Sequence, residues 1–312
     1  MTVLKPGLLT SVQAGPRRGM RHIGVPASGA ADPLSLALAN RLVGNAWDAP
    51  ALELTAVGPS LRFDADYAIA IAGAPFDMQL NGAVCAAHRS FMVHPDDVLD
   101  IGSTAVGMRA YLAAAGGIES QHVLGSNSTY LPGRFGGFEG RALARGDVLA
   151  AAVPRSFTEI ETPAEFRPPV ASSWAVRTCA SCETELLEHD ARDALFSQKW
   201  IVDRRADRMG MRLDGPSLAV QSAGRMPSAA VFPGTVQCTE GGSPFLLGAD
   251  AGTTGGYPRV AQVARCDRHL LGQMRPGDSL LLLERAVDDA NRELAEKADY
   301  WQAWLPDMRD IL

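Results

Sequence analysis

Short apolar runs, separated by glycine and proline, recur along the whole chain and predict β-strands. Glycine (31) and proline (20) are frequent among the 312 residues and are spread evenly. Apolar runs of this length between turn residues are typical of strands that are buried on one or both faces. The prediction rests on six runs, which are residues 68–72, 110–114, 148–153, 229–232, 244–247 and 279–283. The pattern therefore predicts a mainly β protein with few short helices.

Two segments carry helix signals. Residues 33–43 follow Asp32, a residue type that caps helix N-termini, and they begin with proline, which is favoured in the first turn. Gly44 then supplies a stop signal. Residues 285–304 are rich in alanine, glutamate and leucine, and we expect them to form a tail helix that docks on the body or faces a partner.

Two echoes in the sequence predict two related β lobes, one early and one late. The tetrapeptide GPSL of residues 58–61 recurs at residues 215–218, and PDDVL at 95–99 has a counterpart in PGDSL at 276–280. We expect each copy of GPSL to turn into a strand. A stretch rich in proline and polar residues separates the two lobes. The predicted division is an N-terminal lobe over residues 1–153, a linker over 154–173, a C-terminal lobe over 174–285 and a helical tail over 286–312.

The net charge and the lack of long apolar segments exclude two classes of partner. The formal net charge is −6 at pH 7, whereas a nucleic-acid surface needs clustered lysine and arginine. No apolar run approaches the roughly 18 residues that cross a bilayer, and the first residues lack the apolar segment of a signal peptide. The sequence therefore predicts a cytoplasmic protein that binds neither nucleic acid nor membrane.

The cysteines and histidines give no metal or catalytic motif, and we predict no metal site. Five cysteines, an odd number, argue against a disulfide framework in a cytosolic chain. Cys179 and Cys182 form a CxxC pair, but a zinc site needs two further ligands at suitable spacing. The motifs GxSxG and HExxH are absent. The glycine-rich residues 133–141 lack the Gly-Lys-Ser/Thr ending of a phosphate loop.

The segment GADAGTTGGYPR, residues 248–259, is the strongest candidate for a functional loop. It follows a predicted strand, and its Gly255 and Gly256 permit positive φ and close approach of a ligand. A tight structural turn is the alternative, but such a turn requires fewer special residues than the segment contains. The ionisable and hydroxyl-bearing side chains suit acid–base chemistry or ligand orientation. The hypothesis assigns catalysis to four of them, which are Asp250, Tyr257, Thr253 and Thr254.

A dense arginine cluster, residues 204–212, is the second candidate. Four arginines and one aspartate stand among these nine residues, RRADRMGMR. Arg208 and Arg212 are able to clamp a carboxylate or a phosphate with two hydrogen bonds each. A solvated charge run is the usual alternative. The interleaved methionines and glycine argue against it, because they indicate partial burial.

Residues 17–45 form a third candidate, for which binding and structural interpretations stay open. Ser28 and the first-turn amides after Asp32 lie where a helix N-terminus favours a carboxylate or phosphate. The structural alternative is a capped helix behind a turn, in which Asn40 and Arg41 make packing contacts. Counter-charge for an anion is available from four basic side chains, which are Arg17, Arg18, Arg21 and His22.

Ordered matches along most of the chain point to a family. The matching stretches are residues 24–29 with Asp32, 39–45, 52–54, 109–112, 125–126, 207–210, 234–237 and 253–258. With these motifs the chain resembles the family that contains the C subunit of bacterial ATP-dependent 5-oxoprolinase. Members of this family are also described as allophanate hydrolase subunit 2 or as biotin-dependent carboxyltransferase-type, urea amidolyase-related proteins.

The resemblance implies a fold and an assembly. The implied fold is two tandem β-barrel-like lobes, of which the C-terminal one is cyclophilin-like. The implied partners are a kinase-inhibitor-type B subunit, a third, barrel-type A subunit and a small-molecule substrate. In such a complex ATP with magnesium drives the opening of 5-oxoproline to glutamate, and neither a metal nor biotin is bound on this chain.

The resemblance also implies which residues touch the substrate. The implied substrate-binding set is Arg208, Arg212, Gln237, Gly255, Gly256, Ser28, Asn40 and Arg41. The chain departs from the family pattern at Ala14, where an acidic residue is usual, and at Ala251 and Gly252, where Arg-Gln is usual. Two alternatives stand beside the oxoprolinase subunit. One is a carboxyltransferase or allophanate-hydrolase-type subunit acting on urea-like amides, and the other is a non-catalytic regulatory partner of an inhibitor protein.

Overall fold

Strands form most of the regular structure, as the apolar runs predict. The computed structural model describes residues 1–152, 158–221 and 226–312. Four of the six predicted runs lie inside strands, which are Tyr67–Gly73, Arg109–Ala114, Pro244–Leu247 and Ser279–Glu284. The predicted mainly β fold with few helices is therefore confirmed.

Two of the predicted runs differ from the structure. The run 229–232 is a strand only at Ala229–Ala230. The run 148–153 makes only isolated bridges, at Val148 and Ala151, and its last residue lies outside the described residues. Each segment finds a neighbouring strand for only one or two residues, so an apolar run alone does not extend into a strand there.

Internal contacts divide the chain into two units. The first unit comprises Met1–Arg18, Ser28–Val170 and Trp301–Ile311, and the second comprises Gly19–Ala27, Ala171–Tyr300 and Leu312. The boundaries predicted at residues 173 and 285 stay predictions. The boundary predicted at residue 153 lies outside the described residues.

The described part of the first unit contains two antiparallel sheets. Its strands are β1 (Thr2–Lys5), β2 (Leu9–Gln13), β3 (Ala51–Thr55), β4 (Ser60–Arg62), β5 (Tyr67–Gly73), β6 (Phe76–Leu80), β7 (Ala83–Val84), β8 (Ser90–Val93), β9 (Val98–Thr104) and β10 (Arg109–Ala114). One sheet has the order β1-β4-β9-β6-β7 and the other has the order β2-β3-β10-β5-β8. Side chains from both sheets, among them Val12, Ile71 and Leu99, share one apolar core. Burial of this apolar surface is the main stabilising term that joins the sheets.

Helix α1 (Pro33–Leu42) explains why β5 and β10 read as continuous apolar runs. The helix contacts both strands, and all six residues of β10 are buried. A strand covered on both faces takes apolar side chains along most of its length. The Asp32 carboxylate accepts a hydrogen bond from the Ser35 amide at 3.1 Å, and Gly44 follows the helix at a φ of 75°, as the helix signals predict.

A closed seven-stranded barrel forms the body of the second unit in its described part. The barrel strands are β11 (Ser173–Ala180), β12 (Trp200–Ala206), β13 (Gly210–Asp214), β15 (Thr235–Cys238), β16 (Pro244–Leu247), β18 (Arg259–Val263) and β19 (Ser279–Glu284), and a separate pair comprises β14 (Ala229–Ala230) and β17 (Thr254–Gly255). The order is β11-β18-β15-β16-β13-β12-β19, and the barrel closes where β19 pairs in parallel with β11. The barrel expected in the later part of the chain is thus confirmed.

Alternation along β11 shows how the sequence builds this barrel. Trp174, Val176 and Thr178 are buried, whereas Ser173 and Ala175 are exposed. Successive side chains of a strand point to opposite faces of the sheet. One face of β11 therefore packs inside the barrel while the other meets solvent.

The GPSL echo does not mark equivalent strands, and the strand predicted after its second copy is wrong. The first copy leads into β4 at Ser60. After the second copy, none of residues 215–221 belongs to a strand. Gly215 instead packs against Trp200, where a Cβ would lie 2.5 Å from a ring carbon. This glycine is therefore required for close packing and not for a turn into a strand.

Few helices complete the described structure. The α-helices after α1 are α2 (His189–Ser197), α3 (Val287–Trp301) and α4 (Met308–Ile311), and 3-10 helices span Arg21–Ile23, Ala164–Phe166, Thr184–Leu186 and Arg265–Gln273. The helix predicted over 285–304 is α3. It contacts the rest of the second unit through Lys297, which donates to the Cys266 carbonyl at 2.7 Å. Among the described residues, no helix has both the length and the apolar character that a membrane crossing requires.

Candidate functional site

A buried ion pair lies at the start of the candidate loop. The Nε of Arg208 donates to Oδ2 of Asp250 at 2.8 Å, and Nη2 donates to Oδ1 at 2.9 Å. The Asp250 amide also donates to the Arg208 carbonyl at 2.8 Å. Arg208 is 4% exposed and Asp250 is 1% exposed. A bidentate ion pair of this kind fixes the turn between β12 and β13 against the loop.

The ion pair gives Arg208 and Asp250 a structural role beside the functional roles that the sequence suggested. Asp250 is a predicted catalytic group and Arg208 a predicted ligand of a substrate anion, yet the structure pairs them with each other. Both carboxylate oxygens accept from one guanidinium, an arrangement that suits a fixed loop. Their roles in turnover stay predictions.

Ala251 continues the anchoring of the loop. It is 1% exposed and belongs to a small apolar cluster with Val231 and Leu247. Position 251 is therefore part of the interior of this chain.

A two-stranded sheet holds the middle of the loop. Strand β17 pairs with β14 so that Thr254 lies opposite Ala230. The Val231 amide donates to the Thr253 carbonyl at 3.2 Å and extends the pairing by one residue. The two threonines of the predicted site are thus held side by side on a defined backbone, with Thr254 exposed.

Arg21 binds the backbone of this small sheet. It lies in the 3-10 helix Arg21–Ile23, which belongs to the second unit. Its Nη2 donates to the Thr253 carbonyl at 3.2 Å and also to the Val231 carbonyl. Its guanidinium carbon lies 4.6 Å from the centroid of the Phe232 ring, within the range of a cation–π contact.

Arg259 anchors the other end of the loop. Its Nε donates to Oε2 of Glu183 at 2.7 Å, and Nη2 donates to Oε1 of the same carboxylate. Its Nη1 reaches the Ala230 carbonyl at 3.0 Å. The hydrogen bond from the Arg259 side chain is the main cause that lowers the pKa of Glu183. The last residue of the candidate loop is therefore bound to two other segments.

Gln237 positions the tyrosine of the loop. Its Nε2 donates to the Tyr257 carbonyl at 3.1 Å, and its side chain is buried. A Cβ at Gly255 would lie 2.5 Å from the same Nε2. Glycine therefore permits the close approach between loop and barrel strand. The ring of Tyr257 stays accessible, since the residue is 46% exposed.

The tyrosine borders a cavity of about 740 Å³ within the second unit, here called the Tyr257 cavity. The described lining consists of residues 217–221, 226, 228, 238–242 and 256–258. Among these lining residues, Glu240 is the one with a charged side chain. A cavity of this size accommodates a small-molecule ligand. The geometry therefore makes the Tyr257 cavity the candidate site.

Cys238 borders the cavity but is not arranged as a nucleophile. It is 1% exposed, and burial raises the pKa of its thiol to about 11. Since the thiolate is the reactive form, a protonated thiol at neutral pH is unreactive. Cys179 and Cys182 are free thiols, and in the described ranges no group of His, Cys, Asp and Glu side chains is arranged to hold a metal ion.

Arg212 and two residues of the first unit have partners other than the loop. Arg212 lies on β13 and forms an ion pair with Asp214 at 3.5 Å. Asn40 is buried and donates to the Ala49 carbonyl at 2.9 Å, which orders the turn after α1. Arg41 lies 5.2 Å from the centroid of the Trp304 ring.

Ser28 differs from the other predicted residues of the first unit. It is buried at a φ of 51°, and its hydroxyl has no hydrogen-bond partner among the described residues. The structure therefore supplies packing contacts for Asn40 and Arg41 but none for the Ser28 hydroxyl. The substrate contacts predicted for these three residues stay predictions.

Sequence reasoning missed a buried polar cluster in the first unit. Oε2 of Glu53 accepts from the Tyr111 hydroxyl at 2.7 Å and from the Ala31 amide at 2.9 Å. The Tyr111 hydroxyl accepts in turn from the Asp32 amide at 2.9 Å. Burial raises the pKa of Tyr111, and the charges of Glu53 and Asp32 add to the effect. The signal was the glutamate inside the apolar strand ALELT, because a buried charge requires partners.

Fold and loop together define a chain of the carboxyltransferase-domain type. The family model described as carboxyltransferase domain, subdomain A and B, matches residues 23–283. The chain belongs to this family, and the resemblance seen in the sequence is confirmed.

The similar proteins include separate enzyme subunits as well as segments of larger enzymes. The 5-oxoprolinase C subunit of Escherichia coli (strain K12) is 33% identical over 309 residues, which cover 97% of this chain and 98% of that protein. The urea amidolyase of Lachancea kluyveri is 35% identical over 320 residues, which cover 95% of this chain and 17% of that protein. Among solved structures, the urea carboxylase of Kluyveromyces lactis matches with a TM-score of 0.90 at 31% identity, over 100% of this chain and 29% of that chain.

Removing one partner of the Arg208–Asp250 pair is expected to destabilise the protein strongly. A lone buried charge costs about 3–5 kcal/mol, whereas replacing both partners with apolar residues costs less. Urea titration should therefore show a larger loss in the free energy of unfolding for D250L and for R208M than for R208M/D250L. The control is D289A, which removes a surface pair with Arg292. A double variant as unstable as the sum of the single variants would contradict the prediction.

The stability that Glu183 contributes is expected to depend on pH. The bond from Arg259 lowers the pKa of Glu183 in the folded state from its ordinary 4.5. Such a carboxyl group contributes stability above its unfolded pKa, and the contribution is lost as the pH falls through the folded pKa. Urea titration of E183Q and wild type should give a difference at about pH 7 that shrinks near pH 3. E185Q, at an exposed neighbour, is the control, and a pH-independent difference for E183Q would refute the assignment.

Proposed function

We propose that the chain is a subunit of an ATP-dependent 5-oxoprolinase. The supporting observation is the match with the C subunit of the E. coli 5-oxoprolinase, which extends over 97% of this chain and 98% of that protein. In this proposal the enzyme opens 5-oxoproline to glutamate: the lactam C–N bond breaks, water adds across it, and hydrolysis of ATP drives the step. A kinase-inhibitor-type B subunit and a barrel-type A subunit complete the enzyme in the cytoplasm.

On this chain we assign ligand binding to the Tyr257 cavity. Tyr257 and Gly256 border it, and the half-exposed phenol of Tyr257 is able to hydrogen-bond the lactam group of a substrate. Gln237 holds the tyrosine backbone in place. Asp250 and Arg208 then hold the start of the loop, so that the phenol keeps one position relative to the cavity.

ATP is placed in the assembled enzyme and not on this chain. The sequence has no phosphate loop with a Gly-Lys-Ser/Thr ending. In the described residues no cluster of carboxylates and histidines is arranged for a magnesium ion. Neither the sequence motifs nor the described residues therefore supply support for an ATP–magnesium site on this chain alone.

The second candidate function is carboxyl transfer to a urea-like amide. The observation that favours it is the likeness to the urea carboxylase of K. lactis, with a TM-score of 0.90 over the whole of this chain. The sequence has no Met-Lys biotin-acceptor motif, so in this alternative carboxybiotin comes from a separate carrier. The same Tyr257 cavity would then bind the amide acceptor.

Turnover by the assembled complex tests these proposals. The chain is purified together with the A-type and B-type subunits of its own source, and release of ADP and glutamate from ATP and 5-oxoproline is measured. We expect equal amounts of both products, and only when all three subunits are present. The reference is the E. coli 5-oxoprolinase complex under the same conditions.

The other outcomes separate the alternatives. An intact but inactive complex beside an active reference would remove the oxoprolinase proposal. Carboxylation of urea from carboxybiotin would then favour the transferase. A stable complex without either reaction would favour the regulatory partner.

Replacing Tyr257 with phenylalanine is expected to lower kcat/KM of the complex without changing its assembly. Loss of one hydrogen bond to the ligand corresponds to about a 3- to 10-fold decrease. The matched control is Y300F, because Tyr300 is an exposed tyrosine on α3. Equal activity of Y257F and wild type would contradict a role for the phenol, and loss of complex formation would place Tyr257 in the subunit interface instead.

A further inference from the structure

One arginine reaches the candidate loop from a distant part of the sequence. Residues 19–27 belong to the second unit, although the residues on both sides of them in the sequence belong to the first. Within this segment, Arg21 donates to the carbonyls of Thr253 and Val231. Arg21 and Thr253 are 232 residues apart in the chain.

The two carbonyls lie next to the two strands of the small sheet, one beside each strand. Val231 directly follows β14, and Thr253 directly precedes β17. One guanidinium therefore bridges both strands at the same end of the sheet. The Phe232 ring lies against this guanidinium and limits its movement.

The small sheet needs such a bridge because it is short. Strands β14 and β17 have two residues each, and an isolated pair of strands is only marginally stable. Three residues separate Thr253 from Tyr257, and Gln237 donates to the Tyr257 carbonyl. The position of Thr253 thus sets the path by which the chain reaches the Tyr257 cavity.

The arginines of the basic cluster at residues 17–22 all donate to backbone carbonyls. In the sequence these residues are candidates for the counter-charge of an anion. Arg17 instead donates to the carbonyls of Val123 and Ser128, and Arg18 donates to the Asp310 carbonyl. Arg21 likewise donates to backbone carbonyls. The planar arrangement of its N–H donors is therefore needed for these contacts, in addition to its charge.

We propose that Arg21 is a positioning residue of the candidate site: it fixes the loop backbone at Thr253 and thereby the place of Tyr257 at the cavity. It acts through the loop and does not contact the ligand. For turnover this inference rests on the proposed function. Its effect on the loop does not depend on any reaction.

Hydrogen–deuterium exchange of the isolated chain tests the effect on the loop. In R21M and in R21K, we expect the amides of residues 250–257 to exchange about 10-fold faster than in wild type. Lysine keeps the charge but lacks the planar fork, so R21K should resemble R21M. The matched control R18M should leave exchange of this segment unchanged. Unchanged exchange in both Arg21 variants would overturn the inference.

Turnover of the assembled complex tests the consequence for the site. Arg21 acts only through the place of Tyr257, so its loss should cost no more than the loss of the phenol. We expect kcat/KM to fall by about 3- to 10-fold in R21M and R21K alike, mainly in kcat. A wild-type KM and kcat in R21K, together with a raised KM in R21M, would instead show that Arg21 supplies charge to an anionic substrate, and would overturn the positioning role. If the wild-type complex is inactive, the proposed function fails, and the exchange experiment still decides whether Arg21 holds the loop.

Discussion

Arg208 and Asp250 share two side-chain hydrogen bonds and one backbone hydrogen bond in the interior of the second unit. An arginine keeps its charge in a protein, and a buried carboxylate without a partner is costly. The two segments therefore cannot separate without leaving a charge in apolar surroundings. The later parts of the loop are placed from this fixed point, beginning with Ala251 in its apolar cluster. A loop rich in glycine is thus ordered by side-chain contacts together with one short pair of strands.

The contacts that hold the loop share a second property. Arg21, Gln237 and Arg259 all donate to backbone carbonyls, those of Thr253, Tyr257 and Ala230 among them. Backbone acceptors are present whatever the side chain is. The loop side chains are therefore able to change while the path of the loop is kept.

Local patterns in the sequence predicted much of the fold, because burial and turn chemistry act over a few residues. The apolar runs at 68–72 and 110–114 lie in strands, and Asp32 caps α1 as expected. The partners of polar residues were not predictable in this way. Asp250 and Arg208 are 42 residues apart, and a lone aspartate in a loop has the same sequence signature whether it is paired or reactive. The position of the loop in the sequence could be predicted, but the partner of each polar residue within it required the structure.

The parallel pairing of β11 with β19 has a consequence for the folding of the second unit. It joins Ser173 to Ser279, the first strand of the barrel to the last. Pairings so far apart in sequence form slowly, since a long stretch of chain must be ordered first. During synthesis the barrel stays open until residue 284 has left the ribosome. For that period the edge of β11 that will meet β19 is unpaired, and an open strand edge is prone to aggregate with other chains. A nascent chain of this protein is therefore expected to need protection longest at its barrel, and not at its sheets, where β2 to β10 are synthesised more than a hundred residues earlier.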